Sequence, residues 1–166
     1  MRGAFIMKIG IGGDHNGYGL KETLKKFIEE STDHEVVDFG AHSSEAVDYP
    51  GVAFEVAEAV SEKKVDRGVL VCGTGLGVAI AANKYPGIRA ATTHDTYSAE
   101  RAQLSNNAQI ITLGAQVIGP ESAKKVVEAY LNVEWAGGSQ RKVDQIVDRE
   151  SQFLDQNFKD AAKGSC

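Results

Sequence analysis

The amino-acid sequence predicts an α/β protein: a Rossmann-like, doubly wound open sheet of five parallel strands, with helices on both faces and a C-terminal helix. Three observations predict it. Five short β-rich runs alternate with amphipathic helical patterns along the chain. The run at 68–72 is almost wholly apolar, as expected of a strand covered on both faces. Glycine-rich or polar segments follow several of these runs, where ligands of such sheets bind beyond the carboxyl ends of the strands.

The first strand is expected over 5–11, ending at Gly12-Gly13. Leu20, Leu24, Phe27 and Ile28 then recur at helical spacing. A second strand at 35–39 closes at Gly40. Pro50 precedes a helix whose inner stripe is Val52, Ala53, Val56, Ala57 and Val60. After the strand at 68–72, residues 76–84 read as a helix stopped by Pro86-Gly87. Strands at 88–92 and 109–113 flank a helix at 95–104. A further helix over 120–131 has Pro120 in its first turn, where the missing N–H costs nothing. Beyond Gly137-Gly138, Val143, Ile146, Val147 and Leu154 suggest a terminal helix at about 139–158. Right-handed crossovers put helices on both faces and bring 12–18, 72–77 and 93–96 together at one end of the sheet. The chain reads as one domain, 1–166, with a core at about 7–134 and a frayed tail at 159–166.

Composition narrows the function classes. The chain has 166 residues, long enough for a sizeable core, with 42% apolar and 25% charged residues. Its formal charge of −5 has the wrong sign for a nucleic-acid binder, and no dense basic patch is interleaved with aromatics. No apolar run approaches the roughly 18 residues of a membrane span, and the N-terminal apolar stretch is too short for a secretory signal. Of two cysteines, Cys166 lies in a polar tail, so Cys72 is a lone internal thiol suited to a reducing cytoplasm. No CxxC or HxxxH spacing supports zinc, and no metal or cofactor is expected.

The segment most suggestive of chemistry is Val71-Cys72-Gly73-Thr74-Gly75-Leu76-Gly77, strand to loop to helix. Its glycines let backbone N–H groups approach an anion, and the helix start adds positive potential that favours a thiolate at Cys72. It is neither a Walker A loop, lacking GK[ST], nor GxGxxG, since Val78 stands where the third glycine would. A buried structural cysteine before a tight turn explains the loop equally well. Asp14-His15, set among Gly12, Gly13 and Gly17, suggests close approach to a ligand, or else an Asx-type turn capping the next helix. His94 should point at the cleft mouth, while Asp95 or Thr96 serves as an N-cap. Asn106-Asn107 either bonds a sugar hydroxyl or ends a helix. Arg141-Lys142 is the best cation pair for a phosphate, or a solvated surface pair. Asp48-Tyr49-Pro50 is a turn and helix start at least. His34 and His42 read as loop residues away from these strand ends.

Taken together, Gly13-Asp14-His15-Asn16-Gly17, Asp48-Tyr49-Pro50, Cys72-Gly73-Thr74-Gly75-Leu76-Gly77, Ala81-Ala82-Asn83-Lys84, Gly87-Ile88-Arg89-Ala90, His94-Asp95, Asn106-Asn107-Ala108 and Leu113-Gly114-Ala115 resemble the ribose-5-phosphate isomerase type B family, which includes the galactose-6-phosphate isomerase subunits. The resemblance runs in order over about 7–146. It implies an open sheet, a homodimer or tetramer with active sites between subunits, and a small phosphorylated sugar as partner, without metal or cofactor.

By the same resemblance, the sugar ring opens and a proton moves between C1 and C2 through a cis-enediolate. Cys72 is then the base, Thr74 orients the thiol or the substrate oxygens, and amides of Gly73, Gly75, Leu76 and Gly77 stabilise the enediolate oxygen. Asp14 acts on the substrate oxygens, His15 helps hold the phosphate, His94 opens the ring, and Tyr49, Asn106, Arg141 and Lys142 bind substrate.

The chain departs from the family pattern at several positions. Ser105 stands where some relatives place a ring-opening histidine, and Val78 where others carry a glutamate base. Gln116 and Ser139 occupy positions that often hold phosphate-binding cations. Ribose 5-phosphate is the default substrate; a four- or six-carbon sugar phosphate or a free sugar is open. Two other classes compete: a non-catalytic sugar-phosphate binder and a flavodoxin-like nucleotide binder, the latter weakened by the missing fingerprints.

Overall fold

The structure, a computed structural model, describes residues 5–155 and Lys163. Five strands are arranged as expected: β1 (Lys8–Gly13), β2 (Glu35–Asp38), β3 (Arg67–Cys72), β4 (Ala90–Thr92) and β5 (Ile110–Gly114). All pair in parallel, in the order β2-β1-β3-β5-β4. Among the described residues six helices accompany them, four between strands and two after β5: α1 (Tyr18–Ser31), α2 (Tyr49–Ser61), α3 (Leu76–Ala82), α4 (Thr96–Asn106), α5 (Pro120–Leu131) and α6 (Gln140–Phe153). Among the described residues no helix is long and apolar enough to cross a membrane.

Side-chain alternation divides the core in two. Ile9, Ile11, Val69, Val71, Ile111 and Leu113 pack with Leu24 and Ile28 of α1, Ala99 and Ala102 of α4, and Val126 and Tyr130 of α5. Leu70, Cys72 and Ile110 face the other way, onto Val56 and Val60 of α2 and Val78 and Ala82 of α3. The central strand β3 is buried at every position, which explains its unbroken apolar run.

Several boundaries differ from the expected ones. β1 starts at Lys8 rather than 5 and continues through Gly12 and Gly13, which pair with Leu70 and Val71. β4 starts at Ala90 because the Arg89 N–H is taken by the Gln109 side chain at 2.8 Å. α3 ends at Ala82, short of 84, and α4 runs on to Asn106. α6 ends at Phe153, short of the expected 158, and the tail at 159–166 lies outside the described residues except for Lys163.

The two ends of the sheet differ in what they bring together. At the carboxyl end, β1 and β3 are neighbours, so the segments after Gly13 and Cys72 meet where the strand order reverses. β4 lies at the lateral edge, separated from β3 by β5. At the amino end, α4 delivers Asn106 and the 132–139 connector passes Arg67, which donates to the Tyr130 and Val133 carbonyls at 2.8 and 2.7 Å. α6 is fastened to this same end, with Glu150 accepting the Gly87 N–H at 2.7 Å.

Candidate active site

β3 ends by pointing Cys72 toward the α2/α3 side, where the thiol is buried. The chain then turns back on itself, and the Gly75 N–H donates to Cys72 Sγ at 3.1 Å. Gly75 has φ +78°, and a Cβ there would lie 2.8 Å from the Leu113 carbonyl carbon, so both conformation and space require glycine. Leu76 donates its N–H to Thr74 Oγ1 at 3.3 Å. Among the described residues, the amides of Gly73, Thr74 and Gly77 carry no such partner and are the donors left to a ligand. Because α3 has only seven residues, the loop's own N–H groups matter more here than any helix field.

Two layers frame this loop. On one side, Asp14 is buried and accepts the Gly17 N–H through Oδ1 at 3.0 Å, so it does form the Asx-type turn. The Asp14 N–H itself donates to the Val71 carbonyl at 3.3 Å, tying the turn to the end of β3. His15 is partly exposed, with Nδ1 at 3.2 Å from both the N–H and the carbonyl of Val47. Tyr49, half exposed at the start of α2, lays its ring against Gly77, where a Cβ would meet it at 2.8–3.0 Å.

On the other side, His94 accepts the Gly114 N–H through Nε2 at 2.8 Å. A neutral imidazole held this way carries its proton on Nδ1. Asp95 is the N-cap of α4, accepting from Ser98 N–H at 2.7 Å. Gln116 lays its amide over Gly73, with Oε1 3.1 Å from the place a Cβ would occupy.

Three expected site residues stand elsewhere in this chain. Asn106 closes α4 at the amino end, where its carbonyl accepts from Arg89 Nε at 3.1 Å. Arg141 and Lys142 lie in the first turn of α6, which is fastened to the amino end. The chain therefore does not bring these three to Cys72. The connectivity itself held the signal, since a helix following a parallel strand returns to the amino end. Ser105 accepts from Arg101 Nε at 2.8 Å, and Val78 is fully buried in the core.

His42 corrects the reading that it lies away from the strand ends. The Gly13 N–H donates to the Gly40 carbonyl at 2.6 Å and Ala41 returns a bond to the Gly13 carbonyl at 2.7 Å, so the loop after β2 folds back onto the carboxyl end. Asp38, at the end of β2, accepts from Lys21 at 2.8 and 2.9 Å, from Lys25 at 3.2 Å and from the Gly40 N–H at 2.9 Å. Burial alone would raise the Asp38 carboxyl, but these donors outweigh it and hold it below the usual carboxylate range.

Two contributors were not singled out in the sequence: Thr92 and Thr112, whose hydroxyls reach the Gly75 carbonyl at 3.3 and 2.7 Å. A threonine inside a wholly buried strand is the signal that marks Thr112. Two other motifs prove architectural. Asn83 pairs both amide atoms with the Ala90 backbone at 2.8 Å. Arg89 donates to the carbonyls of Gly87, Asn106 and Asn107.

Known proteins share this fold. Residues 9–146 match the family model described as Ribose/Galactose Isomerase. A Listeria innocua serovar 6a protein named Ribose-5-P isomerase B is 52% identical over 139 residues, covering 83% of this chain and 93% of that protein. A Pectobacterium atrosepticum protein named D-erythrulose-4-phosphate isomerase is 46% identical over 146 residues, covering 85% and 93%. The solved ribose-5-phosphate isomerase B of Clostridium thermocellum superposes with a TM-score of 0.86 at 45% identity, covering 89% of this chain and 99% of that one. With a family model spanning most of its length and relatives this similar over nearly their whole chains, the protein belongs to the ribose/galactose isomerase family.

Proposed function

We propose that this protein interconverts the aldose and ketose forms of a small sugar phosphate, ribose 5-phosphate and ribulose 5-phosphate by default, with Cys72 as the proton-transferring base. The observation that carries the reading is a thiol at the end of β3, bearing the Gly75 N–H and followed by the unpartnered amides of Gly73, Thr74 and Gly77. Cys72 takes the C2 proton of the open-chain aldose and returns it at C1. The three amides receive the enediolate oxygen, where preorganised donors act most strongly. Asp14 exchanges the hydroxyl proton between the two substrate oxygens, and Thr74 orients the thiol or these oxygens. His94, with its proton on Nδ1, serves ring opening. His15 and Tyr49 hold the substrate's far end.

The active unit is a homodimer at least. α6 carries Ile146, Val147 and Phe153 partly exposed, as is Leu154 just beyond it, and only its Val143 is buried. Beside the catalytic loop, Leu76 and Ile80 of α3 are likewise exposed. A two-fold pairing that sets the amino end of one copy by the carboxyl end of the other covers these faces. It also carries Asn106, Arg141 and Lys142 of one copy toward Cys72 of its partner. The relative named for D-erythrulose 4-phosphate favours a second reading, a four-carbon substrate on the same machinery.

One experiment tests the chemistry: a panel of phosphorylated and free four- to six-carbon sugars assayed with the native protein and Cys72→Ala. The expected outcome is turnover of one phosphorylated sugar and a loss of about 10²–10⁴-fold in the variant, with phosphorylated-sugar binding retained. Full activity in Cys72→Ala refutes the base assignment; binding without turnover in the native protein returns the chain to the class of binders.

A further inference from the structure

We propose that Thr112 and Thr92 are positioning residues for Cys72: their paired hydroxyls clamp the Gly75 carbonyl and so keep the Gly75 N–H aimed at the sulfur. The consequence for turnover rests on the isomerase reading above; the effect on the thiol does not.

The argument starts from a residue that the core alone does not call for. β5 is Ile110, Ile111, Thr112, Leu113 and Gly114, buried at every position, and Thr112 is fully inaccessible. Valine has the same shape and would satisfy the packing without a buried hydroxyl, which stabilises a fold only when bonded. Thr112 bonds in one direction, toward the loop. Its Oγ1 lies 2.7 Å from the Gly75 carbonyl oxygen and 3.0 Å from Thr92 Oγ1. Thr92 Oγ1 is 3.3 Å from the same carbonyl.

The two hydroxyls carry one proton each, so in every arrangement that satisfies both, at least one proton goes to the Gly75 oxygen and the other goes to that oxygen or to the neighbouring hydroxyl. The pair exists because β4 and β5 are neighbours with Thr92 in register with Thr112.

The clamped residue is the one that touches the thiol. Gly75 has no side chain to restrict it, and its left-handed conformation is one of several a glycine can adopt. Its N–H is 3.1 Å from Cys72 Sγ. Holding the carbonyl side of the residue on two strands of the sheet fixes its orientation, and with it the direction of the N–H. A hydrogen bond donated to sulfur favours the ionised form over the thiol. The hydroxyls thus act on the base from across β5 without touching substrate.

The test uses the full chain carrying Cys166→Ser, so that Cys72 is the one thiol. Iodoacetamide alkylation is measured at pH 7 and pH 10, and the ratio of the two rates cancels changes in access. In Thr112→Val and Thr92→Val/Thr112→Val the ratio is expected to fall about three- to tenfold, the worth of one hydrogen bond. kcat should fall in proportion with KM little changed, and Thr112→Ser should restore both. An unchanged ratio in both valine variants overturns the proposal, whatever kcat does. A reduced ratio with native kcat upholds the clamp and refutes Cys72 as the base. Should Thr112→Val fail to fold, Thr92→Val, whose side chain is only half buried, is read in the same way against the same two outcomes.

Discussion

The two ends of the one parallel sheet handle polar groups in opposite ways. At the amino end, long cationic side chains spend their donors on backbone carbonyls. Arg67 caps Tyr130 and Val133, and Arg89 gathers the carbonyls of Gly87, Asn106 and Asn107. At the carboxyl end the roles are reversed: short side chains such as Thr112, Thr92 and Asp14 fix the backbone, and the backbone N–H groups of Gly73, Thr74 and Gly77 are left without a partner among the described residues. Charge on a side chain is therefore a poor guide to function here. Arg67 and Arg89 are engaged in holding backbone, and the unpaired donors of the loop after β3 carry no charge at all.

The largest effect expected from this contrast separates turnover from stability. Cys72→Ala should remove about 10²–10⁴-fold of activity while shifting the thermal midpoint by only a few degrees. A collapse of the fold on this substitution would mean that the thiol is a core residue first.

At the opposite end, Arg67→Ala leaves two carbonyls, one of them buried, without their donor and should cost about 2–4 kcal/mol in urea unfolding. The pH 7 to pH 10 alkylation ratio of Cys72 should stay at its native value. A change in that ratio would show that the two ends are coupled.

Gly75→Ala should cost less in stability, about 1–3 kcal/mol from a side chain forced into the left-handed region against Leu113. It should also depress kcat, because relief of the clash turns the N–H away from the sulfur. Native turnover in this variant would break the link between Gly75 and the thiol.

The smallest effect is a difference in pH windows. Burial, with Arg67 nearby, pushes the His34 imidazole at the amino end below its usual value, and its Nδ1 accepts the Met7 N–H at 3.1 Å. The unfolded chain then takes up the proton first, so this stability is complete above about 6.5 and is lost as pH falls toward the folded value. Asp38, at the carboxyl end, is depressed relative to 3.8, so its contribution persists to far lower pH and is lost only below that value. Urea midpoints should therefore begin to fall in mild acid, and His34→Gln should flatten that first decline alone. An unaltered decline would assign it to other groups.

Much of this architecture was legible in the residues. The apolar run ending at Cys72 and the glycines after it announce a strand delivering a side chain to a cleft. Pro120 marks its helix start because the ring fits only the first turn. Strand order is a different matter. Nothing local in 88–92 or 109–113 says that β5 inserts between β3 and β4, and the Thr92–Thr112 pair depends on that insertion. The loop after β3 was legible because consecutive residues build it. The residue types of Asn106, Arg141 and Lys142 do not say which end of the sheet they reach; the connectivity of their helices does.

The Asn83 amide, set against Ala90, has a consequence for how copies of this chain meet. In a parallel pair a residue's N–H and carbonyl point to the same side, and the Ala90 groups point away from β5. Left open, they would offer a template on which another chain's strand could add. Asn83 supplies one donor and one acceptor at the spacing of a peptide group, so the sheet ends there against a counterfeit of its own backbone. A protein whose loop after β3 leaves amides unsatisfied thus closes them where an open amide would invite uncontrolled growth.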